Sequence, residues 1–431
     1  MTFLLNSDNI FDYLVEHGFC HPSELALSQV EPVAAKNFNL LVKFTDTHKL
    51  LVKQERHNQD GKAAGEFWGE WQMQLFLQQF PEVEHLRQFL PDVLHFDRDH
   101  SILVCRYLDD YRDLMEFYTK ENSFPTEITV AMGRFLGTLH RDTFNCQDYQ
   151  HFFAQQSDTL TTEQVPKLIR GLERIGPEVF GQVPADGLKF FALYQRYDSL
   201  GCAIAELGSA FSPCCLTHND LKLNNILLHT DWEQTDDSIV RFIDWERSTW
   251  GDPAFDLGTL IASYVQIWLG SLVISSSLSI EESLQLAATP LEQLQPSIAA
   301  LTQAYFDRFP EILNHRPDFL RRVVQFAGLA LIQQIQAMIQ YQKSFGNMGI
   351  AMLQVAKTLL CRPEQSMATI FGAAAVQLSR GTALPIGVNL SHITHDRILG
   401  VGYGVWGVGG ASNFGSLCIK VSCLEKTLWM N

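Results

Sequence analysis

The sequence predicts an α+β protein of two lobes, with a small antiparallel sheet in its N-terminal part and mainly helices afterwards. Three observations indicate this. Apolar residues alternate or cluster at strand spacing up to residue 107, and helical spacing dominates beyond residue 113. The chain has 431 residues, more than one hydrophobic core usually serves. We therefore expect two lobes and an extension.

The N-terminal region begins with a short helix and continues as strands. A polar start near Asn6 and the glycine at position 18 bound a helix over residues 7–17. An aromatic-rich helix then separates two groups of strand patterns. The predicted strands cover residues 25–34, 37–44, 49–54, 93–96 and 101–107, and the helix between them covers residues 62–79.

Helical patterns dominate the rest of the chain. They cover residues 113–120, 126–140, 163–171, 188–211, 300–309, 317–339 and 349–360. A hairpin interrupts them, with apolar strands at 226–228 and 239–243 around a polar turn. The longest apolar run, 257–274, reaches the lower length limit of a membrane span. Since it directly follows a polar motif, we expect a buried helix.

Composition excludes several classes of partner. The chain is 46% hydrophobic and 19% charged, which is typical of a soluble globular protein. Its net charge of −16 argues against nucleic acid and suits a cationic substrate. The nine cysteines show no CxxC spacing, and Asp8 and Asp12 stand where a signal peptide would be apolar. We expect a cytoplasmic protein with free thiols and without a membrane partner.

The chemistry concentrates in HNDLKLNN and the hairpin that follows it. This loop holds His218, Asp220, Lys222 and Asn225, and the hairpin brings Asp244 to the same end. Phosphoryl transfer needs a carboxylate for the acceptor's proton, oxygen ligands for magnesium and cations on the phosphates. H-x-D-x-x-x-x-N followed by a strand-borne Asp meets the first two needs in the order that protein kinases use. Taken singly, each of these residues would more often form a turn or a cap.

Three motifs together resemble the aminoglycoside phosphotransferase and choline kinase family. In that family the loop usually reads HGDLHPGN, followed by IDFE or IDWE and then GDPxxDL. This chain has HNDLKLNN, IDWE at residues 243–246 and GDPAFDL at residues 251–257, in the same order. The combination is more specific than any one motif. The resemblance covers roughly residues 25–360 and implies the bilobal protein-kinase-like fold, with ATP and Mg²⁺ bound between a sheet-containing lobe and a helical lobe.

The resemblance also implies roles for individual residues. Asp220 would be the catalytic base, and Asn225 and Asp244 would be the Mg²⁺ ligands. Asp256 would be a buried carboxylate that braces the loop. Lys222 departs from the family, which often has His or Ser there, whereas protein kinases carry Lys two positions after the catalytic Asp. Lys222 could contact the transferred phosphate or could be an ordinary exposed lysine.

A lysine and a glutamate together form a candidate binding site for the α and β phosphates, in which the lysine contacts the phosphates and the glutamate pairs with the lysine. Lys53 lies inside the apolar strand LLVKQ, where a kinase small lobe carries its phosphate-binding lysine. A lysine at a sheet edge could instead simply snorkel. Glu66 and Glu70 share one helix face. The family's glutamate has an apolar residue seven positions on, as Glu70 has in Leu77, so Glu70 is the predicted partner of Lys53 and Glu66 the alternative.

The remaining nucleotide contacts have weaker signatures. A kinase phosphate loop carries glycines because its backbone must approach the phosphates. This chain has AAKNFN at residues 34–39 instead. Family loops without the full glycine set often end in Asn, which Asn39 would match. The family's hinge would follow the strand at 101–107, so that adenine would contact the backbone near Cys105 to Tyr107.

We therefore expect a nucleotide-binding lobe over residues 1–106, a catalytic and acceptor-binding lobe over 107–365, and a glycine-rich extension of unknown role over 366–431. Residues 402–407 of the extension fit GxGxxG. They neither precede the lysine nor lie between a strand and a helix, so we interpret the match as unrelated to nucleotide binding.

The expected activity is transfer of the γ-phosphate of ATP to a hydroxyl of a small molecule, such as an aminoglycoside, a choline-like alcohol or a sugar. Two alternatives stay open. Lys222 would suit a kinase of peptide serine or threonine, and the missing glycines would suit a nucleotide-binding pseudokinase. The motifs do not specify the acceptor or the oligomeric state.

Overall fold

The structure, a computed structural model, describes residues 3–33, 36–57, 63, 65–156, 164–173, 184–235, 238–273, 275, 277–278 and 280–380. The chain divides into two compact units. The first comprises Met1–Lys120, Asp142–Thr162 and Cys214–Gly251, and the second comprises Glu121–Arg141, Glu163–Pro213 and Asp252–Asn431. The predicted lobe boundaries at residues 106 and 365 stay a prediction.

Every strand in the described part of the chain belongs to the first unit. A five-stranded antiparallel sheet has the order β1-β2-β3-β5-β4, a three-stranded sheet has the order β6-β8-β9, and β10 pairs with β7. The strands are β1 Gln29–Val33, β2 Phe38–Lys43, β3 Lys49–Gln54, β4 Val93–Asp97, β5 Ile102–Arg106, β6 Tyr111–Asp113, β7 Cys215–Thr217, β8 Ile226–His229, β9 Val240–Phe242 and β10 Thr249–Gly251.

Helices make up most of the remaining described residues, with short 3₁₀ segments and one π-helical turn, Met338–Gln342, between them. The α-helices are α1 Ile10–Glu16, α2 Glu66–Gln79, α3 Leu114–Glu121, α4 Thr126–Thr143, α5 Gln147–Gln156, α6 Gln164–Glu173, α7 Ala185–Tyr194, α8 Asp198–Ser209, α9 Pro253–Gly270, α10 Ile280–Gln285, α11 Leu291–Arg308, α12 Glu311–His315, α13 Phe319–Ala337, α14 Asn347–Cys361, α15 Pro363–Phe371 and α16 Ala375–Arg380.

The five-stranded sheet is covered by a different helix on each face. Side chains alternate between faces along a strand. Val52 and Val104 therefore pack with residues of α1 in one core cluster. Leu103 and Cys105 pack on the opposite face with Phe67 of α2. Because residues of β3 alternate between the two faces, Leu51 and Lys53 lie on the face covered by α2.

The second unit is helical, and its central helices are α9 and α13. All but a few residues of α9 are buried, so the predicted buried helix at 257–274 corresponds to α9. Only Phe319–Gln342, among the described residues, is long and apolar enough to cross a membrane, and 67% of its most apolar window is buried. That burial is also found in the core helix of a globular unit.

Some sequence-predicted elements differ from the observed ones. The helix predicted over 188–211 is two helices, α7 and α8, because the backbone leaves the helical conformation between them, at Tyr197 with φ −119° and ψ 88°. The strand predicted from residue 25 begins at Gln29, after a 3₁₀ turn at Pro22–Leu27.

The described helices also continue beyond residue 365. Residues up to 380, which the sequence analysis assigns to the extension, are mainly helical, and Met367, Ile370 and Phe371 are buried. The GxGxxG match at 402–407 lies outside the described residues. The seven cysteines of the described part are all free thiols.

Candidate active site

Lys53 and Glu70 form an ion pair within the first unit. Lys53 lies on the α2 face of β3, and its Nζ is 3.5 Å from Glu70 Oε1. The two side chains are 16% and 1% exposed. Glu66, the alternative partner, instead pairs with Lys36. The structure thus brings together Lys53 and the helix glutamate that the sequence favours.

Burial and charge act in opposite directions on this pair. Burial alone would lower the pKa of Lys53, but the negative charges of Glu70 and Asp244 outweigh it and raise that pKa. Burial also raises the pKa of Glu70, against the attraction of Lys53. Lys53 is therefore a protonated cation at neutral pH, close to Asp244.

The position of Glu70 depends on how α2 begins and on what it touches. Glu55, just after β3, accepts hydrogen bonds from the amides of Gly65 and Phe67, and the second bond fixes the first turn of the helix. Next to Glu70, a Cβ on Gly69 would come within 2.4 Å of the Glu246 carbonyl oxygen. The approach of α2 to the 245–247 segment therefore requires glycine at position 69.

Asp220 is held between two cations on the 218–225 loop. Lys222 Nζ lies 3.0 Å from its Oδ2, and Arg247 Nη1 lies 3.8 Å from its Oδ1. Asn225 Nδ2 donates to the Asp220 carbonyl at 2.8 Å. The Asp220 side chain is 20% exposed. Its carboxylate is thus fixed in position while part of it stays accessible.

Two neighbours of Asp220 fasten the loop to the segment after β9. The His218 Nε2–H donates to the Ile243 carbonyl at 3.0 Å, and its Nδ1 accepts from the Asp220 amide at 3.4 Å. Asn219 has φ 62°, a left-handed conformation that glycine and asparagine adopt most readily. Its side-chain amide donates to the Arg247 carbonyl at 3.1 Å. The same conformation accounts for the glycine that HGDLHPGN has at this position.

Asp244 follows β9 in an unusual conformation. Its φ and ψ are 69° and 54°, in the left-handed region that residues with a side chain rarely adopt. The amide of Ile243 donates to the Asn225 carbonyl at 2.9 Å. The 218–225 loop and Asp244 therefore belong to one hydrogen-bonded segment, as the hairpin prediction requires.

Negative charge is concentrated beside Asp244. Glu246 is only 5% exposed. Burial, together with the charges of Asp244 and Glu66, raises the pKa of Glu246 to about 8, although Lys36 and Arg247 oppose the shift. A bound cation would offset this excess of negative charge.

Asn225 and Asp244 have the donor types that suit magnesium, which prefers oxygen ligands. Asn225 uses its amide nitrogen on Asp220, which leaves its amide oxygen for a metal. Within the described residues, no cluster of three or more His, Cys, Asp or Glu side chains could hold a metal ion.

The other predicted nucleotide contacts lie on the same sheet. Asn39 pairs with Lys53 in the register of β2 and β3, and its Oδ1 is buried without a hydrogen-bond partner. Burial raises the pKa of the Cys105 thiol to about 12. The Tyr107 amide donates to the Lys49 carbonyl at 3.0 Å, so this amide is already used within the protein. These three residues stay predicted nucleotide contacts.

The GDPAFDL motif has structural roles that its residues explain. Asp252 caps α9 by accepting from the Ala254 amide at 3.0 Å, and it also accepts from Arg316 Nη1 at 2.6 Å. Asp256 is wholly buried in the second unit, with its Oδ2 3.4 Å from His140 Nε2. His140 is itself wholly buried, with its Nδ1 3.1 Å from the Tyr305 hydroxyl, and the brace from Asp256 to the loop stays a prediction.

Lys36, Glu246 and Arg247 were not predicted as site residues. All three lie in one chain of alternating charges that runs from Glu66 to Asp220. The signal was present in part, since Lys36 lies in a stretch where a kinase would have glycines and Glu246 closes the IDWE motif. Neither pattern reveals that these side chains meet.

Comparisons with known proteins settle the family. The sequence model of the phosphotransferase enzyme family matches residues 31–276, more than half of the chain. This chain belongs to the phosphotransferase enzyme family. No curated protein is similar enough in sequence to match it. Family membership confirms the resemblance that the three motifs indicated and a phosphotransferase activity on hydroxyl groups.

Solved structures show the fold of this phosphotransferase. An ethanolamine kinase from Plasmodium vivax is 16% identical, with a TM-score of 0.52, and the match covers 84% of this chain and 90% of that one. A choline/ethanolamine kinase family protein from Mesorhizobium loti is 16% identical, with a TM-score of 0.44 and coverage of 85% and 99%. An ADP-bound aminoglycoside phosphotransferase is 15% identical, with a TM-score of 0.43 and coverage of 85% and 99%. The predicted kinase-like α+β fold is confirmed.

Proposed function

We propose that this phosphotransferase moves the γ-phosphoryl group of ATP, with Mg²⁺, to a hydroxyl group of a small molecule. One observation carries the proposal. Asp220 presents a fixed and partly exposed carboxylate beside Asn225, on a loop that is hydrogen-bonded to the residue before Asp244. A base and two oxygen ligands for a metal are the parts that phosphoryl transfer requires of a protein.

In the proposed reaction Asp220 accepts the proton of the acceptor hydroxyl. A bond forms between the acceptor oxygen and the γ-phosphorus, and the bond from that phosphorus to the bridging oxygen of ADP breaks. The products are the phosphate ester and ADP, and the proton leaves from Asp220. General base catalysis of this kind contributes about 10²- to 10⁴-fold to the rate.

The other site residues act on the charge of the triphosphate. Lys53, held by Glu70, would bind the α and β phosphates, and Lys222 would contact the transferred phosphoryl group. Asn225 and Asp244 would hold Mg²⁺, whose chemistry when bound is to neutralise charge on the phosphate oxygens. When Lys222 turns to the phosphoryl group, Asp220 is released to accept a proton.

Nucleotide recognition would use Asn39 and the backbone near Cys105 and Tyr107. The unpartnered and buried Oδ1 of Asn39 supports this assignment, because such an atom needs a hydrogen-bond donor. Since the Tyr107 amide is used within the sheet, adenine would bind other backbone groups of the segment. ADP is bound in one of the similar aminoglycoside phosphotransferase structures.

For the acceptor we propose a small molecule with an alcohol group, and cationic alcohols come first. The net charge of −16 supports a cation by steering. Ethanolamine, choline, aminoglycosides and sugars therefore form the acceptor panel. A cytoplasmic location, and the absence of nucleic acid and membrane partners, stay predictions.

The test is Mg²⁺-dependent transfer of labelled γ-phosphate from ATP to this panel. Asp220→Asn removes the proton acceptor but keeps the shape of the side chain, so we expect turnover to fall about 10²- to 10⁴-fold while ATP binding persists. Asp99→Asn, in the exposed turn between β4 and β5, is the matched control. Unchanged turnover in Asp220→Asn would remove Asp220 from the mechanism.

A second candidate is a kinase of peptide serine or threonine hydroxyls. The observation that favours it is the 3.0 Å contact of Lys222 with Asp220, since protein kinases carry a lysine at this spacing. Peptides therefore belong in the same acceptor panel. Transfer to peptides alone would establish this alternative, and ATP binding without transfer to any acceptor would indicate the pseudokinase.

A further inference from the structure

Lys36 lies where a kinase would have a flexible glycine loop. It belongs to the connection between β1 and β2, which in kinases covers the nucleotide phosphates with backbone amides. This connection reads Ala34-Ala35-Lys36-Asn37 and contains no glycine. A lysine can supply as a point charge the attraction for phosphate that backbone amides supply as dipoles.

The ammonium group of Lys36 reaches the segment that contains Asp244. Lys36 Nζ lies 2.5 Å from Glu66 Oε2 on α2 and 3.7 Å from Oε1 of Glu246, two residues beyond Asp244. Arg247 Nε lies 3.8 Å from the same Glu246 oxygen. The β1–β2 connection thus delivers a cation to the proposed metal and phosphate site, and all of these residues belong to the first unit.

The exposure of Lys36 argues against a purely structural role. Its side chain is 55% exposed, whereas Lys53 is 16% exposed and held by a carboxylate that is almost wholly buried. Ion pairs as exposed as Lys36 and Glu66 add little to stability, about 0–1 kcal/mol. The exposed ammonium group can exchange Glu66 for a phosphate oxygen, and the buried Glu246 then keeps Arg247 as its partner.

We infer that Lys36 is a further nucleotide-binding residue, which contacts the terminal phosphates of ATP in place of the glycine amides. Glu66 pairs with the ammonium group in the absence of nucleotide and therefore competes with the phosphates for it. This inference rests on the proposed function, since it requires that ATP is the substrate. The family's motif residues lie in the 218–225 loop and after β9, whereas Lys36 comes from the β1–β2 connection. Lys36 thus adds a cation from a separate part of the chain.

A series of nucleotides separates phosphate binding from a structural role. Mg²⁺-dependent dissociation constants for adenosine, ADP and ATP are measured by titration calorimetry on the full chain. For Lys36→Ala we expect ATP to bind about 10- to 100-fold more weakly, since that is the range for one charged hydrogen bond. Adenosine, which has no phosphate, should bind as to the wild type. Lys36→Gln is a second variant that keeps most of the side-chain length.

Two further variants make the experiment selective. Lys43→Ala, on β2 and paired with Glu31, removes a comparable lysine from the same hairpin and should leave all three constants unchanged. Glu66→Gln releases Lys36, so we expect ATP to bind at least as tightly as to the wild type. If Lys36 only served its ion pair, Glu66→Gln would weaken ATP binding as much as Lys36→Ala does.

The outcomes are distinct. Unchanged ATP binding in both Lys36 variants, equal weakening of adenosine and ATP, or equal effects of Lys36→Ala and Glu66→Gln would each overturn the inference and leave the proposed function standing. Failure of the wild type to bind ATP would overturn the proposed function, and this inference with it.

Discussion

Two residues of the candidate site adopt backbone conformations that side chains disfavour. Asn219, within the 218–225 loop, and Asp244, just after β9, have φ of 62° and 69°. Such conformations cost about 1–3 kcal/mol each and persist where the surroundings impose them. Here the surroundings are hydrogen bonds, from His218 to the Ile243 carbonyl and from Asn219 to the Arg247 carbonyl. The strain lies next to Asp220, so we connect it with the orientation of that carboxylate.

Substitution of Asn219 tests this view. Asn219→Gly keeps the left-handed backbone and loses the side-chain bonds to Thr217 and Arg247, so we expect a loss of about 1 kcal/mol in the free energy of unfolding and near-normal turnover. Asn219→Val adds the steric penalty of a β-branched residue at positive φ, so we expect a larger loss and reduced turnover. Urea denaturation and phosphotransfer assays measure both effects. Equal stability of the glycine and valine variants would show that the backbone conformation does not limit this loop.

Helix α2 is the element through which the sheet and the catalytic segments are joined within the first unit. Its Glu70 contacts Lys53 of β3, and its Gly69 contacts the carbonyl of Glu246. Phe76, near its end, packs against Tyr149 and Phe153 of α5 with ring centroids 5.1 Å apart in each case. A small shift of α2 would therefore change the distance between Lys53 and Glu70.

Gly69→Ala is the sharpest test of this connection. The added Cβ would lie 2.4 Å from a backbone oxygen, which cannot be tolerated without movement of α2 or of the 245–247 segment. We expect turnover to fall at least tenfold, because a misplacement of about 1 Å in an active site can cost 10²-fold. Gly171→Ala in α6, where a Cβ would meet no atom within 4 Å, is the control for alanine in a helix. Normal turnover in Gly69→Ala would show that α2 can shift without disturbing the site.

A contact can be predicted from the sequence when it follows from the spacing of residues along one element. It cannot be predicted when it depends on how separate segments pack against each other. The period of 3.6 places Glu66 and Glu70 on one face, and the alternation along LLVKQ places Lys53 on the α2 side of the sheet. This spacing does not choose between the two glutamates, and Glu70 was predicted as the partner of Lys53 because the resembled family has an apolar residue seven positions after its glutamate, as Glu70 has in Leu77. The contact of Glu55 with the amides of Gly65 and Phe67 could not be predicted, because it depends on tertiary packing and not on spacing within one element.

The charge chain through Lys36, Glu246 and Arg247 escaped prediction for the same reason. Four separate stretches of sequence contribute to it, and the distances between them are set by tertiary packing, including that of α2 on the 245–247 segment. The break between α7 and α8 also has no sequence signal, since residues 195–197 contain neither glycine nor proline. Tertiary packing overrides helix propensity there.

At the scale of the whole molecule, all predicted nucleotide, metal and catalytic residues belong to one of the two units. They lie between Asn39 and Asp244, within two of the three chain segments of the first unit, Met1–Lys120 and Cys214–Gly251. Five of the six tryptophans in the described residues belong to the same unit, and Trp268 belongs to the second. A chain of two units need not unfold in a single step. Tryptophan fluorescence therefore reports mainly on the unit that carries the site.

This distribution leads to a prediction about metal removal. A ligand that binds only the folded state stabilises it by about 2.7 kcal/mol at 100 times its dissociation constant. We expect ATP with Mg²⁺ to raise the fluorescence-detected unfolding midpoint, and we expect a chelator to remove most of that shift while ATP remains present. Asp244→Asn takes away the anionic ligand, so its midpoint should respond weakly to Mg²⁺, whereas Asp99→Asn should respond as the wild type does. A shift that survives both the chelator and Asp244→Asn would mean that the nucleotide binds without a metal at Asp244. Lys36 and Arg247 would then be the cations that offset the carboxylates of Glu246 and Glu66.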